Sequence, residues 1–359
     1  MQKALSRFLR VELAPPNYLA RPTAGIDIST SGVKVAILSE RLHGIELTHF
    51  SEEMLALGAV TNGEITDRAA VVAALTKIRT DCGVHVANIA LSESRGYLFE
   101  ADVEGSSAKA WRTGIEQRID EFVPLPPSEV VFDVAPLTHQ GPLTHVVGVG
   151  YAARVIDESL QALDEAGIEV RAIESETFAL PRALLAQGDT DTVLIIDIGK
   201  TTTKLLVTSG HMPRFATTLD IGGHALTLAV AKHFGVSEEE AKQVKADKGL
   251  MGGEGSEEYL AAMLSTVSVI REEIARRLQY WQSHAGTTHE PVTRAILVGG
   301  NATVRGLCEY LETSLKIPVE LGDVFTNMAP KSEWLPPVDY MASLAYGTAI
   351  GLALREYVP

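Results

Sequence analysis

Two short stretches carry residues whose types and spacing suit phosphate chemistry: Asp27-Ile28-Ser29-Thr30-Ser31-Gly32 and Asp197-Ile198-Gly199-Lys200-Thr201-Thr202-Thr203. In each, an aspartate ends an apolar run and a turn rich in hydroxyl groups and glycine follows. Such a turn points several N–H groups and hydroxyls at phosphate oxygens. The aspartate can hold a magnesium ion through its waters, because that ion keeps part of its hydration shell. Asp27 and Asp197 are the expected magnesium residues, and Ser29, Thr30, Ser31, Gly32, Gly199, Lys200, Thr201 and Thr202 the expected phosphate contacts. Lys200 either reaches a phosphate or points to solvent. A single turn of this kind is usually only a polar hairpin with a capping carboxylate. Two copies at matching points of a repeated unit favour phosphate. A third piece, Ala295-Ile296-Leu297-Val298-Gly299-Gly300 with Asn301 after it, puts glycines between a strand and a helix. A flat base can lie there against bare backbone, although an ordinary strand–helix turn reads the same way.

The repeat is visible in the elements that must position these turns. Apolar runs at 24–28, 33–39 and 45–50 predict a three-stranded meander, and 193–198, 204–209 and 212–220 predict a second. Two related units facing each other across a cleft give two similar lobes. Between them, residues 67–80 predict a helix capped by Asp67, and 84–91 a strand. Residues 95–170 predict an inserted α+β module: a strand at 95–103, a helix at 107–122, a proline corner at 124–127, two paired strands and a helix closed by Gly167. Residues 175–187 and 223–234 predict helices, and 249–255 a glycine-rich loop. A long helix is expected over 256–284, burying Leu260, Met263, Leu264, Val267, Ile270, Ile274, Leu278 and Trp281. The expected organisation is an amphipathic segment 1–22, a first lobe 23–94, the insert 95–170, a connecting helix 171–190, a second lobe 191–340 and a final helix 341–359.

At 359 residues the chain suits two lobes, and 46% hydrophobic with 21% charged residues is ordinary globular composition. A net charge of -15 argues against nucleic acid, which demands a basic surface. Two distant cysteines, Cys82 and Cys308, fit a reduced compartment and no metal cluster. No run of about 18 apolar residues spans a bilayer. A cytoplasmic location follows. The basic helix expected over 3–13 is either a membrane-surface contact or a short docked helix.

The order of first phosphate turn, second phosphate turn, Gly-Gly motif and final helix resembles the actin-like ATPase superfamily over nearly the whole chain. The resemblance implies a duplicated actin-like (ribonuclease H-like) two-lobe fold, with ATP and Mg2+ between the lobes. The insert lies where FtsA and PilM carry their extra subdomain. The stretches Val123-Pro124-Leu125-Pro126-Pro127-Ser128-Glu129-Val130, Ala166-Gly167-Ile168-Glu169-Val170, Ile221-Gly222-Gly223 and Ala345-Tyr346-Gly347-Thr348-Ala349-Ile350-Gly351 look PilM-like. By resemblance Gly222, Gly223 and Lys34 join the nucleotide contacts. Glu176 matches the carboxylate that orients attacking water, with Glu174 as its neighbour and a plain helix-start acid as the other reading. The helix motif that usually offers a glutamate to the ribose reads Ala241-Lys242-Gln243-Val244-Lys245, so Lys242 replaces that acceptor while Lys245 matches the family lysine.

The PilM resemblance implies an ATP-binding scaffold of the type IV pilus inner-membrane platform, with slow ATP turnover or none. Its implied partners are the cytoplasmic tail of a PilN-like protein, near the insert and first lobe, and other platform proteins. The alternative is a filament-forming or membrane-associated protein of the FtsA or MreB kind. A small-molecule kinase is a third reading, for which no acidic cluster beyond Glu174 and Glu176 stands out.

Overall fold

The structure is a computed structural model that describes residues 22–250, 257–284 and 290–358. The amphipathic helix expected over 3–13 and most of the glycine-rich loop expected over 249–255 lie outside the described residues.

The first lobe begins with strands β1 (Ala24–Ile28), β2 (Gly32–Arg41) and β3 (Gly44–Met54), the expected meander. A small ribbon, β4 (Val60–Thr61) with β5 (Glu64–Ile65), leads to helix Arg68–Cys82. Asp67 caps that helix by accepting from the Ala70 N–H at 3.0 Å, a contribution of about 1 kcal/mol. Strand β6 (Val86–Leu91) then pairs in parallel with β1.

The insert follows. β7 (Gly96–Glu104), β8 (Val130–Gln140) and β9 (Leu143–Ala152) form an antiparallel sheet in the order β7-β9-β8. Its core gathers Phe99, Val103, Trp111, Ile115, Phe132 and Val146. The helix expected over 107–122 is broken into Ala108–Glu116 and Ile119–Phe122. The break turns Phe122 into the insert core, where it stacks on Phe99 with ring centroids 4.7 Å apart. Helix Ala153–Glu165 leaves the insert sheet and buries Ala162 and Leu163 in the first-lobe core with Ile26, Leu75 and Ile89. Strand β10 (Glu169–Ser175) completes the first sheet, ordered β10-β6-β1-β2-β3.

The second lobe repeats this topology. β11 (Thr192–Ile198), β12 (Thr203–Ser209) and β13 (Met212–Leu219) are the meander, and β14 (Arg294–Val298) and β15 (Val319–Leu321) extend it in parallel. The order β13-β12-β11-β14-β15 matches the first sheet strand for strand. Helix Glu257–His284 covers it with the expected stripe, except that Tyr259 is buried and Leu264 is 38% exposed. The tyrosine takes the inward place because its hydroxyl donates to the Gly249 carbonyl at 2.8 Å, which satisfies its polar end.

Between the lobes run helix Glu176–Leu184 and the small-residue helix Gly347–Leu354. A methyl group on Gly25 would lie 2.6 Å from the Ala353 nitrogen, and one on Gly351 would lie 2.6 Å from the Ala179 carbonyl carbon. Glycines at these points let the final helix press its backbone against β1 and the connecting helix, setting the floor of the cleft.

Candidate functional site

Both Asp-centred turns face one cavity, lined from both lobes by Asp27, Thr30, Lys34, Asp197, Lys200 and Lys204. In the first turn the Ser29 N–H donates to the Gly32 carbonyl at 2.9 Å, and in the second the Gly199 N–H donates to Thr202 at 2.9 Å. Both hairpins close between matching positions, and in the first the Gly32 N–H also donates to the Ser29 carbonyl at 3.3 Å. Among the described residues, the N–H groups of Thr30, Ser31, Lys200 and Thr201 at the turn tips donate to no protein acceptor. They form a concave set of donors of the kind that holds an anion. The Thr201 hydroxyl donates to the Thr30 hydroxyl at 2.9 Å, so the turn tips of the two lobes touch.

The repeat extends one residue further than the turns. Asp27 stands opposite Lys34 across β1 and β2, and Asp197 opposite Lys204 across β11 and β12. The Lys34 ammonium donates to the Ser31 hydroxyl at 2.9 Å and pairs with Glu52 at 3.2 Å. Lys204 donates to Glu176 Oε2. The other oxygen of Glu176 accepts from the Glu93 N–H at 2.6 Å and the Ser92 hydroxyl at 3.3 Å. Glu93 in turn accepts from the Thr218 hydroxyl on β13, which ties the lobes together a second time.

This packing raises proton affinity at Asp27, Asp197, Glu93 and Lys204. Burial is the main cause at Asp27 and Asp197, reinforced by Glu176 and opposed by Lys34 and Lys204. Burial likewise pushes Glu93 up to about 7, with Glu176 adding and the Thr218 hydroxyl and Lys204 opposing. At Lys204, burial favours the neutral form, but Glu176, Asp197 and Asp27 outweigh it and keep the ammonium firmly charged. Among the described residues, the carboxylate of neither loop aspartate accepts a hydrogen bond from protein. Two uncommitted carboxylates facing a cavity suit a hydrated divalent cation, which needs few direct protein ligands.

Of the residues singled out in the sequence, Asp27, Ser29, Thr30, Ser31, Lys34, Glu176, Asp197, Gly199, Lys200, Thr202, Gly299, Gly300 and Asn301 line this cavity. Gly32 and Thr201 complete the turns. Gly222 and Gly223 stand behind the second turn: the Gly223 N–H donates to the Gly199 carbonyl at 3.0 Å and the His224 N–H to Lys200 at 2.8 Å. A methyl on Gly222 would come within 2.7 Å of the Thr202 nitrogen. Lys245 is buried and spends its ammonium on the Gly223 carbonyl, the Thr227 hydroxyl and Asn301 Oδ1, at 3.1, 3.1 and 3.0 Å. Burial, with Lys242 nearby, lowers it to about 8. Lys242 itself is exposed and pairs with Glu239 at 3.0 Å, away from the cavity. Glu174 is held by Arg182 at 2.6 Å and by Arg355, so it does not share the cleft with Glu176. Lys204 and Glu93 were not singled out. The repeat could have found Lys204, because it follows Asp197 by the same interval that separates Lys34 from Asp27.

A second groove lies at the seam of the insert and the first lobe, lined by Arg95, Tyr97, Leu125, Glu129, Arg154 and Val155. Ser94 belongs to the walls of both cavities. The insert also reaches the second lobe, where Arg214 on β13 donates to Glu100 on β7 at 2.9 Å and His145 contacts the same carboxylate at 2.8 Å.

Two five-stranded sheets of one topology, with a pair of Asp-centred turns meeting across a cleft, define an actin-like fold. Solved structures share the fold. A chain of the PilM-PilN type IV pilus biogenesis complex superposes with a TM-score of 0.78 at 22% identity, covering 94% of this chain and 99% of that one. The ethanolamine utilization protein EutJ of Carboxydothermus hydrogenoformans gives 0.54 at 16% identity, over 98% and 97%. MreB5 of Spiroplasma citri bound to ADP gives 0.53 at 15% identity, over 87% and 94%. The family model for the type IV pilus assembly protein PilM matches residues 25–357, and the chain belongs to that family. Among the described residues no helix is long and apolar enough to cross a membrane.

Proposed function

We propose that this protein is an ATP-binding scaffold of the type IV pilus assembly platform, working on the cytoplasmic side of the inner membrane and held there by protein partners. The observation that carries the nucleotide part is the meeting of two N–H-lined turns, each with an uncommitted aspartate, in one cavity. ATP lies between the lobes with its phosphates on the turn tips. A magnesium ion, when bound, neutralises phosphate charge, and Asp27 and Asp197 hold it through its waters. Gly299 and Gly300 leave room for the nucleoside.

Turnover is slow or absent. A residue that activates water needs a free basic oxygen within reach of it. Without nucleotide both oxygens of Glu176 are taken by protein donors, and the Glu93 N–H and Ser92 hydroxyl hold one of them independently of Lys204. The scaffold role follows from family membership, and the seam groove supports it. Tyr97, Leu125 and Val155 offer apolar wall, while Arg95, Arg154 and Glu129 offer polar anchors. A short extended segment, such as the cytoplasmic tail of a PilN-like protein, fits that chemistry.

The purified full-length protein tests this reading in one assay pair. Saturable binding of Mg2+-ATP with negligible phosphate release, and binding of a synthetic PilN-like tail peptide that Tyr97→Ala weakens, are expected. Rapid multiple turnover by the protein alone overturns the scaffold reading in favour of an enzyme.

A further inference from the structure

The lysine of the second lobe has no assigned task, and its position carries one. Lys204 occupies the place in β12 that Lys34 occupies in β2, opposite the turn aspartate in both cases. Both lysines line the same cavity. Lys34 is already aimed at its own turn, through Ser31 and Ser29. Lys204 donates across the cavity to Glu176 and to nothing else among the described residues.

We propose that Lys204 is the second-lobe ligand for the polyphosphate chain, stored on Glu176 until the nucleotide arrives. This rests on the nucleotide reading above. The carboxylates of Asp27, Asp197, Glu176 and Glu93 crowd this space around Lys204 and Lys34, and Glu52 and Lys200 line the same cavity. An ammonium ion is the least costly way to bring a polyanion into such surroundings, because it supplies charge-assisted hydrogen bonds and offsets the acids. Exchange is also cheap. Lys204 gives up a carboxylate and gains a phosphate oxygen, so it stays charged and hydrogen-bonded throughout. Glu176 keeps its contacts with the Glu93 N–H and the Ser92 hydroxyl after Lys204 leaves. Lys204 therefore has a charged partner in either state, and the Glu176 oxygen that it leaves faces the cavity. Lys34 and Lys204 then grip the phosphates from the two lobes, one on each sheet.

The competing account makes the Lys204–Glu176 pair a strut between the second lobe and the connecting helix. The two accounts differ in sign. A strut is broken by either substitution, so Lys204→Gln and Glu176→Gln would change nucleotide affinity in the same direction. A stored ligand gives opposite signs, because Lys204→Gln removes the phosphate contact and Glu176→Gln releases Lys204 for it.

The test is calorimetric titration of the full-length protein with Mg2+ and the non-hydrolysable triphosphate AMPPNP. Lys204→Gln weakens binding about 10–100-fold, the range of a lost hydrogen bond to a charged group. Lys204→Arg stays within about threefold of wild type, and Glu176→Gln binds at least about threefold more tightly through relief of like charge. Should Lys204→Gln fail to fold, Lys204→Met replaces it in the same titration, because removal of the Glu176 charge alone favours a polyanion whatever Lys204 does. Equal affinity in wild type and Lys204→Gln, or weakening in both variants, overturns the proposal while leaving the nucleotide reading intact. Absence of any AMPPNP binding by wild type removes the nucleotide reading and this proposal together.

Discussion

Glu93→Gln is expected to make the protein more stable in mildly alkaline solution and to change little in acid. Burial is the chief reason that Glu93 titrates at about 7 instead of its ordinary 4.5. Its folded-state proton affinity is raised, so its contribution to stability is complete below about 4.5 and is lost as pH rises through about 7. Full ionisation costs the folded protein at most about 3 kcal/mol, at about 1.4 kcal/mol per pH unit. Residual solvent contact reduces this to about 1–3 kcal/mol. Glutamine resembles the protonated acid in shape and charge, and its carbonyl still accepts the Thr218 hydroxyl that now reaches Glu93. Urea unfolding at pH 4.5 and pH 8.5 measures the difference. Near-equal midpoints in acid and a gain of about 1–3 kcal/mol for the variant at pH 8.5 are expected. A variant less stable than wild type at pH 8.5, or an equal gain at both values, refutes the account of the cleft as a crowded set of acids.

Two further substitutions probe the parts that hold this cleft. Gly299 sits at φ +96° and a methyl there would overlap the Asp197 carboxylate and lie 2.6 Å from the Ile198 carbonyl oxygen. Gly299→Ala is expected to cost about 1–3 kcal/mol in backbone strain and to weaken Mg2+-ATP binding by displacing Asp197; urea unfolding and calorimetry read the two effects. Arg214→Ala removes the Arg214–Glu100 contact between β13 and β7 and is expected to cost about 1–3 kcal/mol. Hydrogen exchange should then quicken in β7 and β13, while helix Arg68–Cys82, which takes no part in that contact, keeps its protection.

The duplicated strands were legible because each apolar run has a clear length and a turn signal. The turns were legible because their residues repeat. Tertiary partners were not. Gly222, Gly223 and Lys245 read as nucleotide contacts by resemblance, yet their atoms are engaged with one another, with Asn301 and with the second turn. Nothing in a linear pattern says that a lysine's three protons meet two acceptors one turn apart on a neighbouring helix and a third on a distant loop. The broken helix at Gln117–Arg118 escaped notice because helical periodicity runs through it, and only the stacking of Phe122 on Phe99 favours the break. Tyr259 replaced Leu264 in the buried stripe for a similar reason, since a distant carbonyl satisfies its hydroxyl. Lys204 is different. Its spacing from Asp197 was readable, and its value became plain once both aspartates stood opposite a lysine across a hairpin.

The central claim is that the paired turns hold a nucleotide's phosphates with a cation on their aspartates. Its most direct measurement is calorimetric titration of ATP into wild type and Asp27→Ala, each with and without Mg2+. Saturable binding that Mg2+ strengthens in wild type, and a loss of that strengthening in Asp27→Ala, is the predicted result. The same Mg2+-dependent affinity in both proteins would contradict it.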